Sequence, residues 1–84
     1  MYRAQITITL KPTVLDAQGA TVERALHNLG FEAVDGVRMG KHIELDVDAP
    51  DTDTARRQVD EMCQKLLANP VIEEYRIEVT SAGG

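Results

Sequence analysis

From Tyr2 to Leu10 the chain alternates without a break. Tyr2, Ala4, Ile6, Ile8 and Leu10 share one face of an extended backbone, and Arg3, Gln5, Thr7 and Thr9 share the other. A period of two in β-branched residues fits a half-buried strand and cannot give a helix a single apolar side. Such a strand needs neighbours to pair its backbone and a layer to cover its apolar face. The remainder of an 84-residue chain has to supply both. Lys11-Pro12-Thr13 ends the strand, because proline has no N–H for the ladder.

The following residues switch period. Asp16 stands where a helix N-cap belongs, and Val22, Leu26 and Leu29 recur at helical spacing. Gly19 weakens the first turn. Gly30 suits a left-handed residue after the helix, with Phe31 folding back on the last turn. Residues 33–39 and 42–48 then read as a hairpin turning at Gly40-Lys41, with Asp35-Gly36 as a bulge or a further turn. Ile43, Leu45 and Val47 alternate with His42, Glu44, Asp46 and Asp48. Asp51 or Thr52 caps a second helix, whose apolar stripe is Ala55, Val59, Met62, Cys63, Leu66 and Leu67. Asn69-Pro70 stops it. A last strand places Tyr75, Ile77 and Val79 inward and Glu74, Arg76 and Glu78 outward.

The predicted order is β-α-β-β-α-β. Right-handed crossovers of this kind give an α+β, two-layer, ferredoxin-like fold: an antiparallel four-stranded sheet with two helices on one face. The open sheet face is expected to carry Arg3, Gln5, Thr7, Thr9, His42, Glu44, Asp46, Arg76 and Glu78. Residues 1–79 form one domain in this reading, and residues 80–84 form a frayed tail.

Charge and motif content exclude several uses of such a fold. The net charge of −5 offers no basic surface for nucleic acid or anionic lipid. The central strands present Thr7, Thr9, Glu44 and Asp46 where an RNA-recognition sheet needs stacking aromatics. The lone Cys63 cannot form a thiol metal pair and reads as a core residue. Asp46, Asp48, Asp51 and Asp53 lack the glycine and terminal glutamate of a calcium loop. His27 and His42 have no companions at ligand or triad spacing. No phosphate-cradling glycine loop is present. The N-terminus has no apolar core of a signal peptide, and no apolar run is long enough to cross a bilayer. The expectation is a cytoplasmic domain without catalytic, metal or cofactor residues of its own. Its small size and open strand edges favour a homodimer or higher assembly.

Three blocks carry a resemblance: Thr9-Leu10-Lys11-Pro12-Thr13-Val14-Leu15-Asp16-Ala17-Gln18-Gly19, Val37-Arg38-Met39-Gly40-Lys41-His42-Ile43-Glu44-Leu45, and Met62-Cys63-Gln64-Lys65-Leu66-Leu67-Ala68-Asn69-Pro70-Val71-Ile72-Glu73-Glu74-Tyr75-Arg76-Ile77-Glu78. In this order they resemble the PurS family, the small subunits of phosphoribosylformylglycinamidine (FGAM) synthase, over about residues 2–79. Ala17 departs from the proline common there, which touches only the entry to the first helix. The resemblance implies a non-catalytic subunit that partners a large PurL-type synthetase and a PurQ-type glutaminase. The complex converts formylglycinamide ribonucleotide, ATP, glutamine and water to FGAM, ADP, phosphate and glutamate. ATP and Mg are implied on the large subunit and none on this chain. The small subunit is implied to bridge its partners and support ammonia transfer. The resemblance is densest at the expected hairpin tip, so Arg38, Lys41 and His42 are the candidate partner contacts. The alternative of another class is an ACT-like regulatory domain binding a small effector.

Overall fold

The computed structural model describes residues 1–81. Strand β1 is Tyr2–Leu10, helix α1 Ala17–Asn28, strand β2 Gly40–Val47, helix α2 Thr52–Met62, and strand β3 Glu73–Ser81. The sheet is antiparallel with order β2-β1-β3. The α+β antiparallel class read from the sequence holds, with three strands in the sheet. β1 lies in the middle, with Ile6 opposite Ile43 on one side and Ile77 on the other. This register puts Ala4, Ile6, Ile8, Ile43, Leu45, Val47, Tyr75, Ile77 and Val79 on one face. The open face carries the residues that alternation assigns to it. β3 includes Thr80 and Ser81, which the sequence assigns to the tail; the other three tail residues, 82–84, lie outside the described residues.

Helix α2 covers the apolar face. Asp51 caps it as expected, its side chain accepting the Thr54 N–H at 2.7 Å. Ala55, Val59 and Cys63 are fully buried, and Val59 and Cys63 pack in one cluster with Ala4, Ile6 and Ile8. Burying side chains such as Ile6 and Ile8 contributes roughly 1.5–3 kcal/mol each. The stripe then departs from expectation. Cys63–Leu67 is a π-helical turn in which the Ala68 N–H reaches the Cys63 carbonyl at 2.9 Å. An i→i+5 turn inserts one residue, so later side chains lag by roughly 100°. Leu66, expected in the core, is therefore 82% exposed, while Ala68 is buried and Leu67 half-buried.

The first arm of the expected hairpin is not in the sheet. Gly40 and Lys41 form no turn; they lie within β2, opposite Thr9 and Ile8. A two-residue hairpin turn needs a residue with positive φ, and among the described residues only Gly30 and Gly36 have it. Gly40 instead permits close approach: a Cβ there would collide with the Ile8 carbonyl and lie 2.8 Å from Thr9 Cγ2. The chain before Gly40 runs past the end of β1, where Arg38 donates to the carbonyls of Leu10 and Lys11.

Helix α1 lies beside this segment and touches the sheet only marginally, so α2 alone roofs the sheet. Asp16 is its N-cap, accepting the Gly19 N–H at 2.9 Å. Its C-terminus is a Schellman closure, with Phe31 N–H to Leu26 carbonyl and Gly30 N–H to His27 carbonyl, both 3.0 Å. Gly30 takes φ 100° there, as its position suggests. The chain is drawn out accordingly, with extents of 50 × 30 × 14 Å and a radius of gyration of 16.2 Å. A compact chain of this length has about 12 Å.

Candidate partner interface

Arg38, Lys41 and His42 do not share a tip. Arg38 belongs to the segment before β2, and its guanidinium is spent on the Leu10 and Lys11 carbonyls. Lys41 and His42 are consecutive in β2, so their side chains stand on opposite faces. Lys41, level with Ile8, reaches Glu73 at 3.8 Å on the helix-covered side. His42, level with Thr7, pairs with Glu44 at 3.0 Å on the open side. Both are more than half exposed, so these pairs are worth little to stability and leave the side chains available.

The open face is polar throughout. Arg3 meets Asp46, its directly opposite neighbour, at 2.7 Å and Glu44 at 3.5 Å. The bond to Asp46 and that carboxylate's charge raise the Arg3 pKa further. A shallow depression of about 400 Å³ lies over Gln5, Thr7, His42, Arg76 and Glu78. Its walls mix both signs and provide no enclosed pocket. Among the described residues no group of three or more His, Cys, Asp or Glu is placed to hold a metal.

Sequence reasoning missed the hooks that fix the segment before β2. Asp16 accepts the Met39 N–H at 2.8 Å, Glu23 accepts the Val37 N–H at 3.1 Å, and His27 Nε2 donates to the Val34 carbonyl at 2.7 Å. The amide bonds from Met39 and Gly19, the Met39 bond foremost, hold the Asp16 carboxyl below the usual carboxylate range. The signal was the polar set 16, 23 and 27, spaced seven and four, which is one side of a helix. Eleven helical residues rise about 16 Å. The five steps from Val34 to Met39 cover that distance only when the chain is nearly extended, at about 3.3 Å each. The segment is thus an extended arm antiparallel to α1, kinked at Gly36, where φ is 69°.

A second missed group joins α2 to β3. The Tyr75 hydroxyl donates to Asp60 Oδ1 at 2.7 Å, and Gln64 donates to Asp60 Oδ2 at 2.9 Å. The Asp60 bond pushes the Tyr75 phenol pKa up. Burial, with Asp60 nearby, raises the Cys63 thiol, so it is packed as an unreactive core group. These contacts hold layers together and contain no nucleophile with a base.

The chain matches the family model described as PurS, phosphoribosylformylglycinamidine (FGAM) synthase, over residues 3–81. It is 49% identical to the phosphoribosylformylglycinamidine synthase subunit PurS of Synechocystis, covering 99% of this chain and 83% of that one. The crystal structure of Methanocaldococcus jannaschii PurS, one of the subunits of formylglycinamide ribonucleotide amidotransferase, superposes with a TM-score of 0.90 at 42% identity, covering 99% and 100% of the two chains. A chain in the solved PurLQS structure of Thermotoga maritima superposes at 0.86 with 34% identity, covering 94% and 96%. Matched along nearly its whole length in sequence and fold by these proteins, the chain belongs to the PurS family, the small subunits of FGAM synthase in purine biosynthesis.

Proposed function

We propose that this chain is a non-catalytic bridge in FGAM synthase, acting as a cytoplasmic homodimer that holds a PurL-type synthetase and a PurQ-type glutaminase in register for ammonia transfer. The observation that carries the reading is the likeness, over 94% of this chain, to a chain of the Thermotoga maritima PurLQS structure. ATP and Mg act on the large subunit in this reading. Residues 1–79 work as one unit, and the isolated chain has no synthetase, glutaminase or ATPase activity. Ammonia is lost to protonation and diffusion unless its source and its consumer are held together. A rigid domain can supply that register without chemistry of its own. Self-association is supported by the drawn-out shape and by an α1 that its own sheet leaves uncovered.

Arg38, Lys41 and His42 are proposed partner contacts. Lys41 and His42 offer the cleaner test, because Arg38 also anchors the end of β1. In a complex reconstituted with both partners, Lys41→Ala/His42→Ala should weaken assembly. Glutamine-dependent activity should fall more than activity with free ammonia, which needs no docked glutaminase. An unchanged ratio of the two activities, with unchanged assembly affinity, would remove these residues from the interface. ATP hydrolysis by the clean isolated chain, lost on mutating one polar residue, would overturn the non-catalytic reading.

A further inference from the structure

We propose that Asp35-Gly36 is a modification site: the Asp35 side chain cyclises onto the Gly36 nitrogen and reopens as isoaspartate, which loosens the arm from α1. Three observations favour this dipeptide.

The first is the pair itself. Attack by a main-chain nitrogen on the preceding side-chain carboxyl is least hindered when the residue that carries the nitrogen has no Cβ. Asp35 is the only aspartate of the chain followed by glycine. Gly36 takes φ 69°, a left-handed backbone that other residues rarely adopt, so the kink itself calls for the glycine.

The second is freedom. Asp16, Asp46, Asp51 and Asp60 each accept a hydrogen bond that holds the carboxylate in place. Asp35 is exposed, and among the described residues neither its carboxylate nor the Gly36 N–H has a partner. The pair lies outside helix and strand, so no hydrogen-bonded ladder opposes the backbone turn that ring closure requires. Asp48 is also exposed and outside regular structure, but Ala49 follows it.

The third is position. His27 holds the Val34 carbonyl at 2.7 Å, and Glu23 holds the Val37 N–H at 3.1 Å. Asp35 and Gly36 are the two residues between these hooks.

The chemistry balances without a co-reactant. In its acid form the Asp35 carboxyl is attacked at Cγ by the Gly36 nitrogen. The N–Cγ bond forms, the Cγ–OH bond breaks, and the hydroxyl leaves as water with the amide proton. Water then adds to one of the two ring carbonyls. Addition at Cγ breaks the N–Cγ bond and restores aspartate. Addition at the main-chain carbonyl carbon breaks its bond to nitrogen and leaves the chain running through Cβ and Cγ. One water has left and one has returned. The isoaspartate backbone is longer by one C–C bond, about 1.5 Å. The arm meets its hooks only when nearly extended, so the added length takes the Val37 and Met39 amides out of register with Glu23 and Asp16.

The experiment ages the full chain and its Asp35→Glu variant in warm neutral buffer. Glutamate keeps the charge and leaves Gly36 in place, and its cyclisation needs a slower six-membered ring. Electron-transfer fragmentation of the tryptic peptides 25–38 and 42–56 locates isoaspartate. It should accumulate at Asp35 at least about tenfold faster than at Asp48, where a Cβ stands beside the nitrogen. In the aged wild-type chain the Val37 and Met39 amides should exchange about tenfold faster or more, with Ile6 unchanged. Aged Asp35→Glu should show neither change. Equal accumulation at Asp35 and Asp48, or none at either, overturns the site. Isoaspartate at Asp35 with unaltered exchange at Val37 and Met39 overturns the loosening of the arm.

Discussion

The two halves of this chain are held by different forces. In the sheet–α2 half, Ile6 and Ile8 of β1 are fully buried with Val59 and Cys63, and half-buried Ile43, Leu45, Val47, Tyr75, Ile77 and Val79 of the flanking strands pack against them. In the α1–arm half, Gly19 is the only buried residue of the helix, and three polar side chains bond an otherwise unpaired backbone. Apolar packing is non-directional and tolerates small shifts. A hook to one N–H fixes a position but supplies little free energy. One half is therefore a stable platform, and the other is a positioned extension whose security depends on what it meets.

That contrast can be broken at its strongest point first. Ile6→Ala should destabilise the domain by about 2–5 kcal/mol, the range for truncating a fully buried branched side chain. Urea unfolding measures it, and a loss comparable to a surface change would mean the platform is held by something other than this cluster. Gly40→Ala should cost about 1–3 kcal/mol, because the new methyl meets the Ile8 carbonyl and has nowhere to go.

Asp16→Ala tests the other half. It should raise the exchange rates of the Val37 and Met39 amides about tenfold or more while leaving that of Ile6 near its wild-type value, the pattern of local rather than global opening. Equal acceleration at all three would make the halves one cooperative unit. The same carboxylate sets an acid dependence. Its folded pKa lies below its unfolded value, so its contribution is complete above about pH 4 and disappears as pH falls through the folded value. Asp16→Asn should therefore flatten the acid limb of stability against pH and leave neutral pH values parallel to wild type. The smallest effect belongs to Leu66→Ala, below about 0.5 kcal/mol for an exposed side chain in the isolated chain. A larger loss would return Leu66 to the core and remove the π turn from the account.

The platform was legible in the sequence because its signals are local. Strict alternation placed β1, β2 and β3 with their faces, and Asp16, Gly30 and Asp51 marked helix ends that the structure places there. The arm was not legible, because nothing near Val37 or Met39 announces that carboxylates from α1 will take their N–H groups. Alternation on both sides of Gly40 is as compatible with one long strand as with two short ones. Leu66 was misplaced for a similar reason, since a helical stripe read at 3.6 residues per turn has no room for a π turn. Of the candidate interface, the residue block was visible through its family resemblance. Its geometry was not, because the tip it was placed on does not exist.

The central place of β1 also has a consequence in time. A ribosome makes β1 before either neighbour, and one of the two, β3, is the last element of the described chain. Until Glu73–Ser81 emerges, β1 can hold β2 on one side only, and Ile6 and Ile8 wait without half of their cover. Contacts between the first and last strands close nearly the whole chain as a loop, which slows folding relative to a chain of local contacts. The sheet therefore cannot close around β1 until β3 is available to dock beside it.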